Sequence, residues 1–158
     1  MDIIKKIKSK VLSLEEFQEK RKLEKNKVVF TNGCFDILHK GHIILLSKAS
    51  EFGDILVIGL NSDDSVKKLK GENRPYQDES SRSLILASLQ FVDFVIIFEE
   101  DTPQNLIDTI LPEVLIKGGD YKPEEIVGYD TVKSNGGEVY CLDFVEGYSS
   151  SSIVNKSV

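Results

Sequence analysis

Two stretches of almost continuous apolar residues constrain the fold more than any other feature of the sequence. Residues 27–30 turn abruptly apolar and β-branched, and residues 54–60 read Asp-Ile-Leu-Val-Ile-Gly-Leu. Strands that are apolar on both faces are typical of parallel sheets covered by helices on either side. Helical patterns separate these stretches from three more, at residues 92–98, 114–117 and 138–142. The sequence therefore predicts an α/β fold, a doubly wound five-stranded parallel sheet.

Residues 1–26 are predicted to be a helical extension and residues 27–158 the main domain. In the extension, Ser13 is predicted to cap a helix, and Glu16 completes a capping box. Another helix is predicted to begin near Gly41. Further helices are predicted over residues 65–69, 79–90, 103–111, 123–135 and 150–156.

Charge and composition exclude several classes of protein. The net charge of −6 argues against a general nucleic-acid binder, whose footprint would be basic. Residues 1–27 nevertheless hold nine Lys/Arg against five Asp/Glu, which we interpret as a solvated helix face rather than an electrostatic patch. No apolar run approaches the roughly 18–20 residues that span a bilayer, and the start lacks a signal peptide's pattern. With only two cysteines, we expect a reduced, cytoplasmic protein without membrane association.

The strongest functional signal is His39-Lys40-Gly41-His42, which contains both histidines of the chain. At the start of a helix, residues three apart share one face, beside free backbone N–H groups and the positive end of the helix dipole. Such a site suits a phosphate chain. The alternatives are two surface histidines that cap a helix and a zinc site, although a third zinc ligand is missing.

The glycine pattern argues against two common nucleotide-binding loops. A dinucleotide-binding fold would carry Gly-x-Gly-x-x-Gly after its first strand, but this chain has Asn32-Gly33-Cys34-Phe35-Asp36. A P-loop sequence, Gly-x-x-x-x-Gly-Lys-Ser/Thr, is also absent.

Residues 30–42 resemble the signature of the HxGH nucleotidylyltransferase superfamily, which has a Rossmann-like fold. Within it, the chain is most similar to the D-glycero-β-D-manno-heptose 1-phosphate adenylyltransferases, which occur alone or as the second half of a bifunctional heptose enzyme. The similarity covers about residues 11–157. Two segments narrow the similarity to the heptose branch. They are Lys117-Gly118-Gly119-Asp120-Tyr121 and residues 99–103, which read Glu-Glu-Asp-Thr-Pro.

The resemblance implies roles for many residues. It makes His39, His42 and Lys117 catalytic. Implied nucleotide contacts are Asn32, Gly33, Cys34, Phe35, Asp36, Gly41, Ser149, Ser150 and Ser151. Implied contacts to the second substrate are Asn61, Asp63, Lys70, Arg74, Arg82, Gly118, Asp120 and Tyr121. The family has Ser-Thr-Thr where this chain has Ser149–Ser151, a departure that keeps the hydroxyl groups.

Each of these residues also has a plainer interpretation. The serines could form a polar helix cap before an exposed tail, and any single lysine or arginine could be a solvated surface charge. Asp36 and Asp63 could be caps rather than ligand contacts. Because the carboxyl ends of parallel strands carry the ligand site of such a sheet, residues on these loops are expected to surround one crevice.

The reaction implied by the resemblance joins a sugar 1-phosphate to ATP and gives an ADP-sugar and pyrophosphate, for ADP-heptose and lipopolysaccharide core precursors. The expected partners are ATP, the sugar phosphate and a second copy of the chain in a dimer. Mg²⁺ is expected to arrive with ATP, without a metal site on the protein. The alternatives are a cytidylyltransferase for glycerol 3-phosphate or another alcohol phosphate, and a module that senses ATP without turnover.

Overall fold

The structure, a computed structural model, describes residues 2–156 and contains one five-stranded sheet. The strand order is β3-β2-β1-β4-β5, and every neighbouring pair is parallel. This arrangement confirms the predicted doubly wound α/β sheet. The strands are β1 (Val28–Gly33), β2 (Ile55–Asn61), β3 (Phe94–Phe98), β4 (Val114–Gly118) and β5 (Glu138–Leu142).

The helices follow the predicted alternation with two differences. The prediction of one helix over residues 123–135 is wrong, because a 3₁₀ turn ends before Gly128, whose φ of 91° is left-handed. A side chain on Gly128 would meet Ile107 Cδ1 at 2.6 Å. A first helix, capped by Asp2, lies within the predicted helical extension, but no separate helix was predicted there. The helices are α1 (Ile3–Lys8), α2 (Leu14–Leu23), α3 (Lys40–Ser50), α4 (Asp63–Lys70), α5 (Glu79–Ser88), α6 (Gln104–Ile110), α7 (Tyr129–Ser134) and α8 (Ser150–Asn155).

Both faces of the sheet are buried, as the continuous apolar strands predict. On one face, Leu56 and Ile58 of β2 pack with Leu46 of α3 and Leu86 of α5. On the other face, Val57 belongs to a cluster with side chains from α2, α6 and α7. Alternate residues of one strand therefore enter two different cores, which explains why β2 has no polar face.

The N-terminal segment packs against the edge strand β3. Ser13 and Glu16 form the predicted capping box, and Phe17 of α2 is buried. Val11 pairs with Val95 of β3, and Lys10 Nζ donates to the carbonyl of Val92 over 2.6 Å. The division between an extension and a domain stays a prediction. None of the helices within residues 2–156 is both long enough and apolar enough to cross a membrane.

Candidate active site

The sheet opens between β1 and β4, where the strand order reverses. Among the described residues, β1 pairs with β4 only at Val29–Val114 and Phe30–Leu115, whereas its pairing with β2 continues to Gly33. The carboxyl ends of β1 and β4 therefore separate and leave a gap. Ligands of doubly wound sheets bind at such a reversal of strand order.

Two cavities adjoin this gap. We call the first, of about 550 Å³, the histidine cavity; it is lined by His39, Gly41, His42, Leu45, Lys70 and residues 144–152. We call the second, of about 520 Å³, the crevice; it is lined by residues 31–36, His42, Leu45, Asn61, Leu69, Lys70, residues 101–103, Lys117, Gly118, Tyr121, Val127, Phe144 and Ser150. Because His42, Lys70 and Ser150 line both, groups bound in the two cavities would meet beside these side chains.

The two histidines begin helix α3 and cap it. The Gly41 N–H donates to His39 Nδ1 over 3.1 Å, and the His39 N–H donates to His42 Nδ1 over 3.3 Å. Their rings stack with centroids 3.8 Å apart. The interpretation as helix caps and the interpretation as a ligand site are therefore compatible, since the capping rings also line the histidine cavity.

These capping bonds determine which nitrogen of each ring carries hydrogen. An Nδ1 that accepts a hydrogen bond has no hydrogen of its own, so in each neutral ring Nε2 is the donor. Burial, then His39 and Lys70 nearby, lower the pKa of His42 to about 4. Burial also lowers the pKa of His39. At neutral pH the pair therefore offers two uncharged N–H donors.

Two of the predicted lysines line the cavities. Lys70 is the last residue of α4 and lines both of them. Lys117 lies near the end of β4 and lines the crevice. Burial lowers the pKa of Lys117, while the thiols of Cys34 and Cys141 act in the opposite direction. Both lysines can contact an anionic ligand that spans the gap.

The three predicted serines line the histidine cavity at the start of α8. Ser149 Oγ accepts from the Ser152 N–H over 3.1 Å and so caps the helix. Ser150 Oγ donates to the carbonyl of Ile37 over 3.3 Å, which joins α8 to the loop before α3. The predicted polar cap is thus present, and its hydroxyl groups face the same cavity as the histidines.

The other predicted nucleotide contacts are at the end of β1. Asn32, Gly33, Cys34, Phe35 and Asp36 all line the crevice. Gly41 lines the histidine cavity, where an added Cβ would meet the His39 ring at 3.0 Å. A side chain at position 41 would crowd the His39 ring, so glycine is required for the ring to keep its position.

Arg74 and Arg82 line neither cavity and have partners inside the protein. Arg74 Nε donates to Asp36 Oδ2 over 2.7 Å. The Arg82 guanidinium donates to three main-chain carbonyls and, over 2.7 Å, to Asp63 Oδ1. Arg82 is only 1% exposed, so the interpretation as a solvated surface charge is wrong for it.

The remaining predicted substrate contacts are divided. Asn61, Gly118 and Tyr121 line the crevice, whereas Asp63 and Asp120 line neither cavity. Asn61 Nδ2 donates to Ser65 Oγ over 2.9 Å, and Asp63 begins helix α4. Asp120 is exposed on the loop after β4. Three residues of the motif Lys117–Tyr121 therefore line the crevice, namely Lys117, Gly118 and Tyr121, whereas Asp120 does not.

Sequence reasoning missed one prominent residue, Phe144. It is 68% exposed and lines both cavities. Its ring also approaches Gly118 and Gly119, where an added Cβ would meet Phe144 at 3.3 Å and 3.0 Å. An apolar residue after the last strand gives no signal of this kind in the sequence, because only the fold brings it to β4.

Within residues 2–156, no group of three or more His, Cys, Asp or Glu side chains could hold a metal ion. Nucleotidyltransferases act on a nucleoside triphosphate, typically with a divalent metal. Imidazoles, lysines and hydroxyls at the cavities suit phosphate oxygens, and the carboxylates that also line them, Asp36, Asp101 and Glu146, belong to no such metal-holding group among the described residues.

Comparison with known proteins identifies the family. The profile of the cytidylyltransferase-like family matches residues 30–156. All residues that line the histidine cavity and the crevice lie within this range. The chain belongs to the cytidylyltransferase-like family. This finding confirms the expected enzyme class, a nucleotidyltransferase.

Two relatives of the chain carry the same name. The chain is 56% identical over 138 residues to "Bifunctional protein HldE" of Geobacter metallireducens, covering 87% of this chain and 28% of that protein. It is 55% identical over 148 residues to the protein of that name from Campylobacter concisus, covering 93% and 30%. The chain thus spans less than a third of the length of these relatives. These matches confirm the resemblance drawn from the motifs.

Two solved structures share the fold of this chain. A lipopolysaccharide core biosynthesis protein from Thermoplasma volcanium superposes with a TM-score of 0.62 at 29% identity, covering 78% of this chain and 99% of that one. A pantothenate synthetase from Thermus thermophilus superposes with a TM-score of 0.58 at 18% identity, covering 86% and 62%. The second similarity shows the shared fold only.

Proposed function

We propose that this chain is a D-glycero-β-D-manno-heptose 1-phosphate adenylyltransferase, which transfers AMP from ATP to the sugar phosphate. The observation that carries the proposal is the pair of neutral imidazoles at the start of α3, which lines a cavity shared with Lys70. The relatives named "Bifunctional protein HldE" and the similarity to a lipopolysaccharide core biosynthesis protein support the heptose substrate.

In the proposed reaction, an oxygen of the sugar phosphate attacks the α-phosphorus of ATP. The new P–O bond forms as the bond from the α-phosphorus to the bridging oxygen of the β-phosphate breaks, and pyrophosphate leaves. The attacking oxygen is already anionic at neutral pH, so the protein needs no general base. Its task is alignment and stabilisation of the charge that develops.

The side chains at the cavities suit that task. His39 and His42 donate Nε2–H groups to the oxygens of the α-phosphate, and Ser149–Ser151 contact the outer phosphates of ATP. Lys70 and Lys117 contact the sugar phosphate or the triphosphate. Neutral imidazoles are effective donors here, because they add hydrogen bonds without requiring protonation in a buried position.

We propose MgATP as the form of the nucleotide that binds. Mg²⁺ that arrives with the nucleotide would neutralise phosphate charge and would need few ligands from the protein. A homodimer, a cytoplasmic location and the absence of nucleic-acid partners stay predictions.

A cytidylyltransferase that acts on glycerol 3-phosphate is the second candidate. The observation that favours a cytidine nucleotide is the name of the matching family, cytidylyltransferase-like. The crevice bears on the acceptor. Its lining includes polar side chains, among them Lys117 and Asn32, that suit a polyhydroxylated acceptor better than glycerol phosphate. A sensor of ATP without turnover would not require both histidines in one cavity.

The test is a substrate panel in which ATP and CTP are each mixed with heptose 1-phosphate and with glycerol 3-phosphate. Pyrophosphate release is measured with MgCl₂ present. We expect release with ATP and heptose 1-phosphate, and slow release with the other pairs. Preference for CTP or equal use of glycerol 3-phosphate would reject the heptose assignment, and no release with any pair would favour the sensor.

A further inference from the structure

Two buried charged residues, Asp36 at the wall of the crevice and Arg82 beyond it, are assigned no role in the proposed reaction. Asp36 and Arg82 are each 1% exposed. A buried charge is costly unless other groups compensate it, so its partners show what it holds in place.

Asp36 holds the segment that precedes α5. Its carboxylate accepts from Arg74 Nε over 2.7 Å, from the Tyr76 N–H over 2.9 Å and from the Gln77 N–H over 3.1 Å. Burial alone would raise the pKa of Asp36, but these hydrogen bonds lower it overall. The carboxylate therefore stays ionised and joins residues 74–77 to the loop after β1.

Arg82 also forms a hydrogen bond to the segment of residues 74–77. Its guanidinium donates to the carbonyls of Cys34 over 2.7 Å, Asn61 over 2.8 Å and Gln77 over 2.9 Å. These acceptors lie at the ends of β1 and β2 and in the segment before α5. One side chain thus joins three pieces of backbone that are far apart in sequence.

Phe35 lies between these two anchors. Its φ of 44° is in the left-handed region, which a bulky side chain rarely adopts. Strain of this kind persists only where the surroundings enforce it. Arg82 fixes the carbonyl before Phe35, and Gln77 Nε2 fixes the carbonyl of Asp36 over 2.7 Å. The Phe35 ring in turn contacts the His42 ring in a T-shaped arrangement, with centroids 5.1 Å apart.

We propose that Asp36 and Arg82 are positioning residues that hold the strained Phe35, and through its ring the imidazole of His42. They act on the reaction through this contact and not by touching substrate. The link to turnover rests on the proposed function, but the link to His42 is independent of it.

The test is a titration of His42 by NMR, which is practical because the chain contains only two histidines. Arg82→Lys and Asp36→Asn remove the anchors, and Gln77→Ala removes one hydrogen bond as a milder change. The matched control is Arg21→Lys. Arg21 also donates to a main-chain carbonyl, that of Leu111, and to a carboxylate, that of Glu113, both over 2.8 Å, but at the amino ends of the strands, away from the cavities.

We expect the midpoint of His42 to rise by about one pH unit in the anchor variants, because the ring becomes more hydrated. His39 and Lys70, the two groups whose positive charge would lower the pKa of His42, are unchanged in all of them. With ATP and heptose 1-phosphate, kcat should fall about tenfold while KM changes less than about threefold. Arg21→Lys should lower the melting temperature without either effect.

An unchanged His42 midpoint in folded Arg82→Lys and Asp36→Asn would overturn the proposal. If both variants fail to fold, an unchanged midpoint in Gln77→Ala would overturn it. If no substrate pair is turned over, the proposed function fails, but the titration still decides whether the anchors hold His42.

Discussion

The imidazole rings of His39 and His42 stack 3.8 Å apart between centroids, and each Nδ1 accepts a backbone N–H of the same helical turn. The two rings are thus part of the helix cap and part of the cavity wall at once. This double use fixes their orientation before any ligand binds. Fixed donors aimed at developing charge are more effective than donors that must reorganise.

The low pKa of His42 predicts a pH dependence of stability. The unfolded residue titrates near 6.5 and the folded one at about 4. Between these values the unfolded state binds more protons, so the free energy of unfolding contributed by His42 is full above pH 6.5 and falls as the pH drops towards 4.

Urea denaturation at pH 7 and pH 5 measures this effect. We expect a smaller loss of stability between these two values in His42→Gln than in the unaltered protein. Carboxylates also titrate at low pH, but they are common to both proteins and do not affect the comparison. An equal loss in both would show that His42 is not held uncharged by the fold.

Gly41→Ala should separate activity from stability. An alanine Cβ at position 41 would meet His39 Cε1 and Nδ1 at 3.0 Å, so the ring must move. Alanine also favours the helix by about 1 kcal/mol relative to glycine. We expect turnover to fall at least about tenfold while the melting temperature changes little, because the helix preference of alanine offsets the weakened His39 cap.

Gly136→Ala is the control for Gly41→Ala. Nothing lies within 4 Å of a Cβ at position 136, but its φ of 78° disfavours alanine. This variant should lose about 1 kcal/mol of stability and keep its turnover. The prediction fails if both variants lose activity in proportion to their stability.

Lys70→Ala should weaken catalysis because Lys70 lines both cavities. A hydrogen bond to a charged group contributes roughly 1.5–3 kcal/mol, which corresponds to a fall in kcat/KM of about 10- to 100-fold. Steady-state kinetics of Lys67→Ala provides the comparison, since Lys67 is an exposed lysine of the same helix. Equal effects of the two substitutions would mean that Lys70 acts only through the net charge.

The fold and the histidine pair were predictable from the sequence because their signals are local. A strand apolar on both faces shows its burial in consecutive residues, and His39 and His42 lie in one helical turn. The partners of Arg82 were not predictable in this way. Its acceptors on Cys34 and Asn61 are 48 and 21 residues away, and they are main-chain carbonyls that any residue type would provide.

The prediction of one helix over residues 123–135 was wrong for a related reason. Gly128 is required by the packing of Ile107, a tertiary contact that outweighs a helical pattern in the sequence. The sequence did not indicate that Phe144 lines the cavities. Its position beside Gly118 and Gly119 arises because β5, which precedes it, pairs with β4 in the sheet.

The most direct test of the account is the single-turnover rate of His42→Ala with ATP and heptose 1-phosphate, measured beside its affinity for ATP. If His42 acts on charge that develops in the transition state, loss of its donor should lower the rate about 100-fold or more. The Kd for ATP should then change by less than about threefold, because ground-state binding retains the lysines and serines. A near-normal rate, or a loss of ATP affinity that accounts for the whole effect, would contradict the account.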